Sequence, residues 1–129
     1  DMNDHDKSVP GNIAVIRGSI RAEPTVRELP GGTVVVQFDV ATRTESDGRR
    51  LSVSVPIAWN DPTAAQLGVL VGGSEVLVVG TVRRRFFRVG GVTQSRTEVV
   101  ADAVVPVRQH KRVGTALRAA ADRVLDLAA

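Results

Sequence analysis

Arg83-Arg84-Arg85-Phe86-Phe87-Arg88 is the stretch whose side chains could do chemistry with a polyanion. It follows an apolar run, Val76-Leu77-Val78-Val79-Gly80, and carries two of the four aromatic residues in the sequence. No acid occurs between Glu75 and Glu98, an interval that holds Arg83, Arg84, Arg85, Arg88 and Arg96. A guanidinium holds phosphate through its planar fork and also stacks on bases. A basic groove with ring faces is how proteins hold unpaired nucleic acid. Two readings of the stretch are open: such a groove, or a solvated charged hairpin with its phenylalanines buried beneath it.

Other chemistries have little to stand on. There is no cysteine, which removes disulfides, thiolate metal sites and cysteine nucleophiles. His5 and His110 are isolated, so no metal site is expected. The pairs Gly31-Gly32, Gly72-Gly73 and Gly90-Gly91 read as turns, and none is followed by the Lys-Ser/Thr of a phosphate-binding loop. No serine sits in a nucleophile-elbow context. The expectation is a binding protein without cofactor, and not an enzyme.

These side chains must be positioned by one domain, since 129 residues support a single core. The apolar bulk is Val, Ala, Leu and Ile, and β-branched side chains favour sheet. The net charge is only +3, so where the arginines lie matters more than the total. Lys7 and Lys111 are the only lysines, which makes nearly every cation an arginine; that bias can also reflect genome composition. No apolar run approaches the roughly 20 residues needed to span a bilayer. The polar start has no signal-peptide core, and a cytoplasmic protein is expected.

Taken in order, residues 1–10 are expected to be a disordered arm. A first strand runs from Asn12 to Ile20, interrupted by Gly18 as a bulge or tight bend. Arg21 to Thr25, with Pro24, reads as a loop, and Val26 to Leu29 as a short edge piece. Thr33 to Thr42 is a second strand whose alternation puts Val34, Val36, Phe38 and Val40 on one face, with Phe38 in the core. Ser46-Asp47-Gly48 turns into a third strand, Leu51 to Trp59. Asp61 before Pro62 predicts an N-cap for a short helix, Thr63 to Val71. The fourth strand is the apolar run that becomes the arginine ribbon, and Thr93 to Val107 returns as the fifth. Five strands with a short helix between the third and fourth is the order of an OB-fold, a small Greek-key barrel that often binds oligonucleotides. The expected architecture is therefore an all-β OB-fold over 11–108. A linker and C-terminal amphipathic helix follow over 109–129, with Leu117, Ala121, Val124 and Ala128 at helical spacing.

The phase of the strands sorts the rings. Thr81, Arg83, Arg85 and Phe87 share the wet face of the fourth strand, so Phe87 is the candidate stacking ring. Phe86 falls with Val76, Val78 and Val82 on the core side. Arg84 interrupts that face, which suggests that the barrel wall has ended there. Trp59 shares its parity with Val53, Val55 and Ile57. Either a bulge near Pro56 turns it outward to stack on bases, or it is core.

The ordered set of segments resembles the bacterial single-stranded DNA-binding protein family. The matching pieces run from Asn12-Ala14-Gly18 and Pro24 to Arg27 through Gly32 to Thr42, then Val55 to Trp59, Gly72 to Gly80, Val82 to Phe87, and Thr97 to Asp102. Together they cover about residues 12 to 107. The resemblance implies an OB-fold, a homotetramer, and sequence-tolerant binding and protection of single-stranded DNA during replication, repair or recombination. Carried over position by position, it implies base stacking on Trp59 and Phe87. Two further family ring positions fall near Ser46 and Val53, which have no ring to offer. Fewer rings and more arginines should make binding more dependent on salt.

The DNA-binding set expected on these grounds is Trp59, Phe86, Phe87, Arg83, Arg84, Arg85, Arg88 and Arg96, helped by Arg17, Arg43, Arg49 and Arg50. The family's Gly-rich tail with an acidic, aromatic end has no counterpart here. That points to a short paralogue without tail-mediated recruitment, with a role in stress or DNA uptake, or else to a truncated chain. The alternative function is an OB-fold protein-interaction or replication-accessory module that binds nucleic acid weakly. An RNA-binding module is a third, since the residues do not separate DNA from RNA.

Overall fold

The computed structural model describes residues 10–129, so of the expected 1–10 arm only Pro10 lies within it. The elements are β1 (Ala14–Glu28), β2 (Val34–Ser46), β3 (Arg49–Asn60), α1 (Ala64–Leu67), β4 (Glu75–Val89), β5 (Val92–Pro106) and α2 (His110–Asp126). The strands close into a barrel in the order β1-β2-β3-β5-β4. This is the OB-fold architecture that the element order implied.

β1 is the strand that makes closure possible, because it serves two neighbours. Its first part pairs antiparallel with β4, from Ala14↔Gly80 to Ser19↔Glu75. Its second part pairs with β2, from Ser19↔Ala41 to Glu28↔Val34. The handover needs a close approach at Gly18, where a Cβ would lie 2.2 Å from the Ala41 carbonyl oxygen. Only glycine fits there.

The stretch read as a loop and an edge piece is instead continuous strand. Its register shifts between Arg21 and Thr25, and Ala22 takes a positive φ of 60°. The bulge absorbs Pro24, whose missing N–H would break a regular ladder. Beyond it, Thr25 to Glu28 return to β2 and carry Arg27 with them.

β2 and β3 pair without interruption from Val35↔Asn60 to Ser46↔Arg49. Barrel closure rests on a short parallel contact, Ile57↔Val99 and Ala58↔Val100, between β3 and β5. The core contains Ile20, Val36, Phe38, Val40, Ile57, Trp59, Val76, Val78, Val99, Ala101 and Val104, with Val69 and Leu70 after α1 packed against it.

Asp61 is not the cap of α1. Thr63 is, in a capping box: the Gln66 N–H donates to Thr63 Oγ1 at 3.1 Å, and the Thr63 N–H donates to Gln66 Oε1 at 2.7 Å. Asp61 instead accepts from the Val34 N–H at 2.8 Å and returns its own N–H to the Val34 carbonyl at 2.7 Å. It thereby ties the end of β3 to the start of β2.

α2 begins at His110, so residues read as a linker form its first turn. Its Val113, Ala116 and Ala120 lie on Leu77, Val79 and Ala103, the outer faces of β4 and β5. No helix among the described residues is long and apolar enough to cross a membrane.

Candidate nucleic-acid interface

The arginine ribbon is the part of β4 and β5 that outruns the barrel. β1 leaves β4 at Ala14↔Gly80, and β3 leaves β5 at Ile57↔Val99. The β4–β5 ladder goes on alone, from Arg83↔Glu98 to Val89↔Val92. Asn12 adds one rung at the junction: its side-chain amide donates to the Val82 carbonyl at 2.7 Å and accepts the Val82 N–H at 2.8 Å.

With no third strand beside it, the ribbon has two faces that alternate along the chain. One carries Arg83, Arg85 and Phe87 opposite Glu98, Arg96 and Gln94. The other carries Arg84, Phe86 and Arg88 opposite Thr97, Ser95 and Thr93.

The first face leans over the outer surface of β2. Arg96 comes within 3.7 Å of Asp39. Arg83 and Arg85 share a cavity of about 140 Å³ with Arg27, Leu29, Val35 and Gln37. A second hollow of about 120 Å³ continues past Gln37 and is bordered by Arg21, Glu23, Thr25, Asp39 and Arg96. The two form a trough with β2 as floor, the second part of β1 as one wall and the ribbon as the other. Arg21, Arg27, Arg83, Arg85 and Arg96 border it, against the acids Glu23 and Asp39.

The rings sort by face. Phe87 is half-buried on the trough side, with the Arg85 guanidinium carbon 5.2 Å from its ring centre. Phe86 is 66% exposed on the opposite side, with Arg84 5.6 Å from its ring centre. The expectation that Phe86 belongs to the core therefore fails, since the wall that would have covered it ends at Gly80. Arg84 also holds Ser95 Oγ at 3.0 Å, and Arg88 donates to the Gly91 carbonyl at 2.6 Å.

Trp59 takes the core position of its two readings. The β2–β3 register has no bulge near Pro56, so Val55, Ile57 and Trp59 keep one face, and the indole is 5% exposed. Such a ring has no free face for a base. Arg17 lies away from the trough. Its backbone pairs with Leu77 on the α2 side, and its side chain meets Glu75 at 3.0 Å. Arg43, Arg49 and Arg50 are exposed on the separate β2–β3 hairpin, where Arg50 lies 3.8 Å from Glu45.

Sequence reasoning missed Arg21 and Arg27, which form the far wall. The signal was present in part, because Arg27 follows Val26 in a β-compatible piece. Reaching the trough depends on the bulge, and that is a tertiary feature.

A five-stranded barrel with a basic trough beside a ring defines an OB-fold of the nucleic-acid-binding kind. The profile of the Single-strand binding protein family matches residues 12–107. The chain belongs to that family, a non-enzymatic, DNA-binding one. Among solved structures it is similar to the Plasmodium falciparum SSB in complex with ssDNA, with a TM-score of 0.63 and 20% identity over 74% of this chain and 93% of that one. No curated protein matches it.

Proposed function

We propose that this protein binds single-stranded DNA without sequence preference, along the trough between β1 and the ribbon. The observation that carries the reading is the set of five arginines converging on one channel with Phe87 at its side. Phosphates meet the guanidiniums, and a base stacks on Phe87. Arg84, Phe86 and Arg88 lie on the ribbon's other face and add a secondary contact for a strand that wraps over the tip. The working unit is a homotetramer in a cytoplasmic, nucleoid-associated setting, protecting strands exposed in replication, repair or recombination. The family relationship supports these last roles.

The test is a salt-titrated binding assay with unpaired DNA, duplex DNA and RNA of equal length, alongside light scattering for the oligomer. Unpaired DNA should bind tightest. If all five arginines meet phosphates, log K should fall against log salt with a slope of about −3.5. A flat response, or preference for duplex, rejects the reading.

A further inference from the structure

Glu98 is the one charged side chain that is fully buried among the described residues, at 2% exposure. It sits beneath the trough-side ribbon face, opposite Arg83. Arg83 Nη2 donates to its Oε2, and Arg85 Nε lies 3.5 Å from the same oxygen. Arg85 Nε is itself buried and forms no hydrogen bond, so the ion contact with Glu98 is its link to the carboxylate.

We propose that Glu98 is a positioning residue for the polynucleotide trough. It fixes Arg83 and Arg85 and, through Arg85, the ring of Phe87. The inference rests on the functional reading above.

The physical case is one of burial. Glu98 is buried while Arg83 and Arg85 are part-exposed, and taking both arginines from it would strand a buried carboxylate, which is far costlier than the pair is worth. A phosphate arriving from solvent therefore does not strip both arginines from Glu98. Each guanidinium has five N–H donors in a rigid fork, so one edge can stay on the carboxylate while the rest faces the trough. Arg85 turns its Nε toward the carboxylate at 3.5 Å, and its guanidinium carbon rests 5.2 Å from the Phe87 ring centre. The buried acid thus sets the tilt of the stacking ring two links away.

This predicts a sign that simple charge counting gets wrong. Deleting an acid beside a polyanion site should strengthen binding by Coulomb's law. For Glu98→Gln we expect the opposite, about tenfold weaker binding, the scale of one compromised stacking platform. Asp39 is the control, because it is 43% exposed and only touches Arg96 at 3.7 Å. Asp39→Asn makes the same charge change at the trough and, with no buried arginine pair resting on it, should bind more tightly than wild type.

The readouts are affinity for an unpaired oligothymidine, salt slope and thermal unfolding. The Glu98→Gln loss should largely vanish in a Phe87→Ala background, which a purely global defect would not do. If Glu98→Gln fails to fold, Arg85→Lys decides. It keeps the charge but loses Nε and the planar face, so binding should weaken with the salt slope unchanged. Glu98→Gln binding as well as or better than wild type overturns the inference, and so does Arg85→Lys behaving like wild type. Wild-type protein that ignores the oligonucleotide sinks the functional reading and this inference with it.

Discussion

Val76–Gly80 and Val82–Phe87 are successive pieces of one strand with the same two-residue alternation, yet they meet opposite fates. Every residue from Val76 to Gly80 is buried. There β4 has β1 on one side and β5 on the other, with the core on one face and α2 over the other. From Arg83 on, β4 has only β5, and both faces meet water or a trough. Alternation tells which side chains stay together. The number of neighbouring strands tells whether their face is dry. On the proposed reading the wall carries stability and the ribbon carries binding, and substitutions in each should separate the two.

The largest effect belongs to the wall. At Gly80 an added Cβ would lie 2.0 Å from the Val100 carbonyl oxygen, where the register of β4 against β5 shifts. The nearest atoms are all β5 backbone, of Val100 and Ala101, which leaves nothing flexible to move. Gly80→Ala should lower stability by about 3 kcal/mol, at the upper end of overpacking costs. That is a drop in Tm of more than 10 °C on the scale of a small domain, about 4–8 °C per kcal/mol. Phe86→Ala on the ribbon should leave Tm within a degree or two, as exposed surface substitutions usually do. Equal shifts for the two would erase the distinction between the halves.

Next come the two rings. Phe87→Ala should weaken binding of unpaired DNA by about 1–3 kcal/mol, or roughly 5- to 150-fold. Phe86→Ala should cost clearly less, although its ring is the more exposed at 66%. Exposure alone predicts the reverse order. A larger loss at Phe86 would move the binding surface to the ribbon's other face.

The order of strands, the faces of the ribbon and the core place of Phe38 were all legible in the sequence, because they follow from period-2 alternation and turn residues. Even Trp59 was decidable in principle: its parity pointed inward, and only a bulge near Pro56 could have overridden it. What was not legible depends on contacts between distant segments. Arg21 and Arg27 flank a bulge at Ala22 to Pro24 that reads locally as a loop. Phe86 shares the parity of the core, and although Arg84 signalled that the wall was ending, its end at Gly80 follows only from where β1 stops pairing. Glu98 follows Gln94 and Arg96 in a polar alternation, and nothing local marks it as buried. It becomes so because the ribbon folds over β2 and the arginines cover it.

A smaller effect sets one hairpin against the other. Arg27→Gln should make the salt slope shallower by about 0.7 and weaken binding about fivefold at 0.1 M salt, as one lost phosphate contact does. Arg50→Gln, on the β2–β3 hairpin where both it and Glu45 are 72% exposed, should change the slope by less than half as much. A titration series on the two variants settles which arm carries the strand. Equal changes would extend the binding path over both hairpins.

The smallest effect is expected at Trp59, and it is informative because it is small. The indole is packed with Ile57, Phe38 and Val99 in the core and is 5% exposed. A ring in that position emits as in an apolar medium, and no base can stack on it without opening the barrel. Saturating unpaired DNA should therefore leave its emission wavelength unchanged and its intensity nearly so. Strong quenching would mean that the end of β3 opens when DNA binds, bringing into contact with DNA a ring that belongs to the wall. The boundary between a stabilising wall and a binding ribbon would then be a property of the free protein alone. Phe87→Ala distinguishes the cases: if quenching persists in that variant, the base is reaching Trp59 directly rather than through the ribbon.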